Sequence, residues 1–99
     1  MPDLRPVDAG ADWDLLLYAA QRVIGRERVN QTWIQRHVRV GFVKAGQLLC
    51  LLEDAGLIGP TTSGRGRWHD VLVLVGDRES VLARLQAMAL AAGETGRLP

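Results

Sequence analysis

Apolar residues repeat at helical spacing in several stretches of the chain. The clearest pattern has apolar residues at positions i, i+3, i+4 and i+7: Ala45, Leu48, Leu49 and Leu52. This spacing puts the four side chains on one face of a helix, which we predict over residues 42–55 with Gly56 just past its end. A last helix is predicted over residues 77–93, beginning at Asp77, because its apolar residues also form one stripe: Val81, Leu82, Leu85, Met88 and Ala89.

Two further helices are predicted in the first half of the chain. Asp12 is a suitable N-cap for the first, which runs to about Ile24 and can be terminated by Gly25. Asn30 is expected to cap the second, whose core-facing residues are Trp33, Ile34, His37 and Val38. The second and third helices are joined by Arg39-Val40-Gly41, and we expect Gly41 to supply the positive φ of a sharp turn.

Short strands are predicted around these helices. Arg28 and Val29 form an edge strand, Leu57 and Ile58 begin a second strand, and residues 60–67 are a hairpin loop from which residues 68–75 return. The order helix, turn, helix, hairpin is that of a winged helix-turn-helix. The predicted fold class is therefore α/β, mainly α. Its parts are a flexible arm over 1–11, a winged helix-turn-helix domain over 12–76, and an additional C-terminal helix of the same domain over 77–93.

The position of the charges changes this picture more than their total. The 99 residues carry a formal net charge of only +1. Residues 22–67, which hold the predicted helix-turn-helix and hairpin, have eight basic and three acidic side chains, while the segments on either side are acidic. A nucleic acid partner explains this concentration, because phosphate contacts supply most non-specific affinity for DNA. An ordinary solvated surface is the alternative.

Several classes of protein are disfavoured by the sequence. We find no apolar run long enough to span a membrane and no signal-peptide pattern, and the single cysteine, Cys50, fits a reducing cytoplasm and allows no internal disulfide. Cys50, His37 and His69 do not have the spacing of a structural zinc site. The chain also lacks the Gly-x-x-x-x-Gly-Lys-Ser/Thr phosphate loop. We therefore expect a cytoplasmic, non-enzymatic protein without a cofactor.

Helix geometry indicates which side of the third helix faces outward. The centre of its apolar stripe lies opposite four residues: Val43, Gly46, Gln47 and Cys50. In a major groove Gln47 can pair with an adenine edge, and Val43 can touch a thymine methyl group. Gly46 would permit a close approach of the backbone to DNA. The alternative is that this face packs on a protein partner.

The remaining candidates for DNA contact are mainly cationic. The hairpin tip, Ser63 to Arg67, presents Arg65 and Arg67 next to glycines, which suits the narrow minor groove; a mobile turn with incidental arginines is the alternative. We expect phosphate contacts from three further residues: Arg36, Arg39 and Lys44. His69, on the returning strand, is expected either to touch phosphate or to be exposed.

A series of motifs extends from the second helix to the end of the wing. They are Ile34-Gln35-Arg36-His37-Val38-Arg39-Val40-Gly41-Phe42, Lys44-Ala45, Leu48-Leu49, Leu52-Glu53-Asp54-Ala55-Gly56-Leu57-Ile58-Gly59-Pro60 and Asp70-Val71-Leu72. Together they resemble the gamma domain of the FtsK/SpoIIIE DNA translocases over about residues 14–73. The resemblance is specific, because the arginine-glycine-aromatic turn and the Glu-x-x-Gly end occur together at the right spacing. It adds Gln35 to the candidate DNA-binding residues.

The resemblance implies sequence-directed binding of double-stranded DNA. Gamma domains recognise short G-rich octamers that orient a translocating motor, some contact a site-specific recombinase, and similar domains on conjugative plasmids recognise repeats at the transfer locus. The family's base-reading asparagine, arginine and glutamate are replaced here by Val43, Gln47 and Cys50, so we do not expect the G-rich target. Lys44 replaces an arginine and keeps the expected phosphate contact.

Two other functions remain open at this point. In the first, the chain is a stand-alone transcription regulator or a plasmid- or chromosome-maintenance protein. In the second, it is a winged helix that binds a protein partner. The initial Met1 favours a stand-alone protein, although an expressed domain would begin in the same way. We expect a monomer in which the last helix packs on its own core, with a dimer through residues 77–92 as the alternative.

Overall fold

The computed structural model describes residues 4–62 and 64–96, so Ser63 of the predicted hairpin tip and residues 1–3 of the predicted arm lie outside it. The helices are α1 (Trp13–Val23), α2 (Gln31–Ile34, which continues as π-helical turns over Gln35–Arg39), α3 (Phe42–Ala55) and α4 (Arg78–Gly96). The strands are β1 (Arg28–Val29), β2 (Ile58–Thr61) and β3 (His69–Val71). Short 3₁₀ turns over Gly10–Asp12 and Val75–Asp77 precede α1 and α4.

The three strands form one antiparallel sheet in the order β1-β3-β2. With α2 and α3 before the β2–β3 hairpin, this is a winged helix-turn-helix with an additional C-terminal helix, which confirms the predicted fold class. The returning strand is shorter than the predicted 68–75, because β1 offers only two residues to pair with it. Beyond it, Leu72 and Leu74 are exposed, while Val73 turns into the core.

The core lies between α1, α3, α4 and the sheet. The predicted stripe of α3 is buried, and in α4 Val81 and Leu85 are fully buried while Leu82, Met88 and Ala89 are partly buried against the same core. Helix α4 packs mainly on α1. Its apolar stripe is thus covered within the chain, as expected, and the helix extends to Gly96 rather than ending at 93.

Three local expectations differ from the structure. Asp12 occupies the N-cap position of α1 but makes no side-chain capping hydrogen bond, and its carboxylate pairs with Lys44. Gly41 has an ordinary φ of −72°, and the positive φ of the turn, 60°, belongs to Arg39 where the π-helical turns end. The arm is packed rather than loose over residues 4–9: Leu4 is buried, and the Arg5 N–H donates to the Ala55 carbonyl at 3.0 Å.

We predict that Leu85→Ala lowers the free energy of unfolding by about 2–5 kcal/mol, because it leaves a cavity where α4 meets the core. Leu90, on the same helix, is 65% exposed, so Leu90→Ala is the matched control and should change stability by no more than about 0.5 kcal/mol. Urea denaturation followed by circular dichroism measures both. Equal effects of the two substitutions would contradict the packing of α4 on its own chain.

Candidate nucleic-acid interface

The outer face of α3 is exposed as the helical pattern predicts. Val43 is 71% exposed, Gln47 and Cys50 are exposed, and Phe42 at the start of the helix is 61% exposed. The buried residues Ala45, Leu48, Leu49 and Leu52 occupy the opposite face. The surface of α3 therefore offers apolar and weakly polar groups to a partner, with Gln47 as the main hydrogen-bonding side chain.

Gly46 has a role inside the chain that the sequence did not predict. The Gln31 side chain crosses from α2, and its Nε2 donates a 2.7 Å hydrogen bond to the Phe42 carbonyl. A Cβ atom at position 46 would lie only 2.8 Å from that Nε2. Glycine at this position therefore makes room for Gln31, so the space over the helix backbone that was expected to allow a close approach to DNA is occupied by a side chain of the protein.

A groove of about 700 Å³ runs between α3, the start of α2 and the wing. Gln47 and Cys50 of α3 line one side, and Gly66 and Arg67 of the wing line the other. The structure thus brings two parts of the predicted site, 20 residues apart in the chain, to one surface. Arg65, at the tip of the same hairpin, is exposed.

Asn30 connects the wing to α2. Its Oδ1 accepts a 2.8 Å hydrogen bond from the Trp33 N–H, which is the predicted cap, and its Nδ2 donates a 2.9 Å hydrogen bond to the Gly66 carbonyl. The Asn30 side chain is buried, whereas Gly66 is exposed. This amide group therefore links the wing to α2, in addition to the pairing of β1 with β3.

The cationic candidates differ in exposure and in whether a carboxylate pairs with them. Arg36, Arg39 and Arg67 are exposed, and Arg39 and Arg67 have left-handed backbone conformations with φ of 60° and 48°. Lys44 is held by Asp12, with Nζ and Oδ2 2.8 Å apart, so a phosphate would compete with that carboxylate. Gln35, which follows α2, is half-buried.

The expectation for His69 is wrong. It lies on the central strand β3 and is only 7% exposed. Its Nδ1–H donates to the Gly59 carbonyl at 2.8 Å, and its Nε2 lies 3.4 Å from the Thr61 hydroxyl. The ring joins β3 to β2 beneath the groove, so we assign it a structural role rather than a phosphate contact.

Two arginines that sequence reasoning passed over also belong to this region. Arg26 lies over the Trp33 ring and Arg28 over the Trp68 ring, beside the wing. The alternation Arg26-Glu27-Arg28, which ends at the first residue of β1, was visible in the sequence. The tryptophan partners could not be assigned from it, because Trp68 is 40 residues further along the chain.

The described part of the chain contains no group of three or more His, Cys, Asp or Glu residues that could hold a metal ion. Within the same residues, no helix has the length and apolar character that a membrane span requires.

Comparison with known proteins shows a consistent relationship. The chain is 42% identical over 78 residues to the DNA translocase FtsK of Tropheryma whipplei, 39% over 82 residues to that of Streptomyces avermitilis, and 35% over 79 residues to that of Mycobacterium tuberculosis. The aligned residues are 79%, 83% and 80% of this chain. No family model and no solved structure matches it.

The chain is homologous to the FtsK DNA translocases over about 80% of its own length, where it matches a gamma-like domain, and the resemblance seen in the motifs is confirmed. It spans only 8% to 10% of the length of the FtsK proteins that it matches.

We predict that Asn30→Ala and Asn30→Ser separate the two roles of this residue. Serine is as good an N-cap as asparagine but is too short to reach Gly66, so Asn30→Ser should keep α2 and release the wing, whereas Asn30→Ala also loses about 1 kcal/mol of capping. Amide hydrogen exchange at Thr62, whose N–H donates to the Trp68 carbonyl, reports on the wing. Unchanged exchange in both variants would show that Asn30 does not hold it.

Proposed function

We propose that the chain is a sequence-directed, double-stranded DNA-binding winged-helix domain. In this proposal α3 lies in the major groove, and the wing over residues 60–68 lies on the backbone or in the minor groove. The observation that carries it is the groove that the outer face of α3 shares with Arg67 of the wing. A duplex on that surface would meet a helix and a cationic hairpin together, as in other winged helices.

Charge supports the same surface. Arg36 and Arg39 precede α3 in the chain, Arg65 and Arg67 belong to the wing, and all four are exposed. Arg67 lines the groove, as does one carboxylate, that of Glu53. Phosphate contacts from these arginines would fix the register of the domain on DNA without reading its sequence. Lys44 would join them by exchanging Asp12 for a phosphate.

Sequence reading is assigned to the outer face of α3. Gln47 can form a bidentate pair with adenine, and Val43 can contact a thymine methyl group. Neither suits guanine, which arginine recognises best, so we propose a target other than the G-rich octamers implied by the family. Cys50 contributes a small, weakly polar surface to the same face.

The proposal extends to the partners and setting of the protein. The relatives are named DNA translocases, which supports a motor acting at the same DNA site. A recombinase is a partner implied by the family resemblance alone. We propose that the domain itself has no enzymatic activity, acts in the cytoplasm and is monomeric, since the stripe of α4 is covered by its own core.

A protein-binding winged helix is the second candidate function. It is favoured by one observation, the exposure of two large apolar residues side by side, Phe42 at 61% and Val43 at 71%. A protein partner would bury them, whereas a duplex would bury them only in part. The two functions differ in their dependence on salt.

We predict that the affinity for duplex DNA falls steeply with salt. Phosphate contacts from Arg36, Arg39, Lys44, Arg65 and Arg67 alone give a slope of log K against log salt of about −4.5. Fluorescence anisotropy with a labelled mixed-sequence duplex measures it.

The wing provides a matched pair of variants for this measurement. Arg65→Ala with Arg67→Ala should make the slope less steep by about 1.8, because two contacts are lost. Arg78→Ala with Arg84→Ala removes the same charge from α4 and should leave the slope unchanged. A salt-independent affinity, or no binding to any duplex at low salt, would contradict DNA binding and leave the protein-binding function.

A further inference from the structure

A second cleft, of about 430 Å³, lies on the other side of the wing base. It is lined by Gly25, Arg26, Glu27 and Arg28, by Trp33 of α2, and by Trp68 just before β3. We name it the Arg–Trp cleft. Trp68, the last residue of the wing, lines it, but none of the side chains named above as DNA contacts does.

The two arginines are positioned by the two tryptophans. The guanidinium carbon of Arg26 is 5.7 Å from the centroid of the Trp33 ring, and that of Arg28 is 5.8 Å from the centroid of Trp68. A guanidinium held over an aromatic ring keeps its N–H groups at the periphery, where they can donate to an anion. Both arginines are exposed. The cleft therefore contains two oriented cationic donors.

The rings themselves are not free to stack on a base. His37 stacks on Trp33, with centroids 4.2 Å apart and planes inclined by 15°. The hairpin backbone closes on Trp68, since a Cβ atom at Gly66 would lie 2.6 Å from its Nε1. What the cleft offers is therefore the N–H edges of the two guanidiniums, which favours a phosphate over a nucleobase.

Two carboxylates lie near these arginines and contribute to the charge of the cleft. Glu27 lines the cleft between them, and Asp70 lies opposite Arg28 in the β1–β3 pairing. Among the described residues, no carboxylate oxygen lies within 4.0 Å of either guanidinium. No carboxylate of the described ranges therefore neutralises these arginines in a direct ion pair, and a phosphate can bind them in the bidentate geometry that guanidinium prefers.

The cleft adjoins the groove next to α3. Consecutive residues line the two cavities: Thr32 and Arg67 line the groove, whereas Trp33 and Trp68, which follow them in the chain, line the cleft. A DNA backbone that leaves the groove across the wing base would reach Arg26 and Arg28 next.

We propose that the Arg–Trp cleft binds the phosphodiester backbone of the bound duplex beyond the wing, through Arg26 and Arg28. The inference rests on the proposed DNA binding and extends its footprint by two phosphate contacts. It assigns the tryptophans a positioning role: they hold the guanidiniums but do not contact DNA bases.

The test measures the salt slope of the full chain with a mixed-sequence duplex that extends past the wing. Arg26→Ala with Arg28→Ala should make the slope less steep by about 1.8, and Arg26→Lys with Arg28→Lys should keep it, because charge is retained. The control Arg78→Ala with Arg84→Ala should also keep it. Urea denaturation checks that each variant is folded. If the double alanine variant does not fold, the double lysine variant is the one whose salt slope is compared with that of the wild-type chain.

A second arm locates the contact. Uncharged methylphosphonate linkages in the part of the duplex that flanks the wing should weaken binding of the wild-type chain but not of the Arg26→Ala, Arg28→Ala variant. If the wild-type chain binds the duplex and is insensitive to these linkages, or if the alanine pair keeps the wild-type slope, the cleft does not bind the backbone and the proposed function still stands. If the wild-type chain binds no duplex, both proposals fail; capture of an acidic peptide by the cleft would then identify it as a protein site.

Discussion

The arrangement of the proposed DNA-binding surface depends on one buried amide. Asn30 begins α2 by accepting the Trp33 N–H, and it fixes the wing by donating to the Gly66 carbonyl. A buried polar side chain is tolerated only when its hydrogen bonds are made, so the two contacts support each other. The wing tip has two glycines with positive φ, Gly64 and Gly66, and this bond restrains it together with the hydrogen bonds that Thr62 donates to the Trp68 carbonyl.

The two cationic regions are lined by residues that lie close to Asn30 and Gly66 in the chain. In one region, the outer face of α3 and Arg67 form the groove; in the other, Arg26 and Arg28 lie over their tryptophans. Among residues 4–62 and 64–96, the arginines of these regions have no carboxylate within 4.0 Å, whereas Lys44 is paired with Asp12. The surface is thus prepared for a polyanion, while base reading is left to a few side chains of α3.

Sequence pattern was sufficient where the physics is local. The bounds of α3, its buried stripe and its terminating Gly56, whose φ is 94°, follow from helical periodicity and from the preference of glycine for left-handed backbone. It failed where a residue is governed by a distant partner. Asp12 and Lys44 are 32 residues apart, and His69 is buried because β3 lies between two short strands whose pairing no local pattern specifies.

The turn between α2 and α3 shows another way in which sequence pattern failed to predict the structure. Glycine at position 41 suggested the left-handed residue, but α2 widens into π-helical turns and Arg39 takes that conformation instead. For the candidate site, the exposed face of α3 and the wing arginines were accessible to sequence reasoning. The filling of the space at Gly46 by Gln31 and the pairing of Arg28 with Trp68 were not, since both join separate segments.

The central claim is that one surface, formed by α3 and the wing, contacts duplex DNA. Its most direct test is a titration of the ¹⁵N-labelled chain with a duplex, followed by the backbone amide signals in two-dimensional NMR. The account predicts that the signals of Val43, Gln47, Gly66 and Arg67 shift together, while those in the middle of α4 do not. Shifts confined to α4 or to the exposed segment at Leu72 and Leu74, or no shifts at low salt, would contradict it.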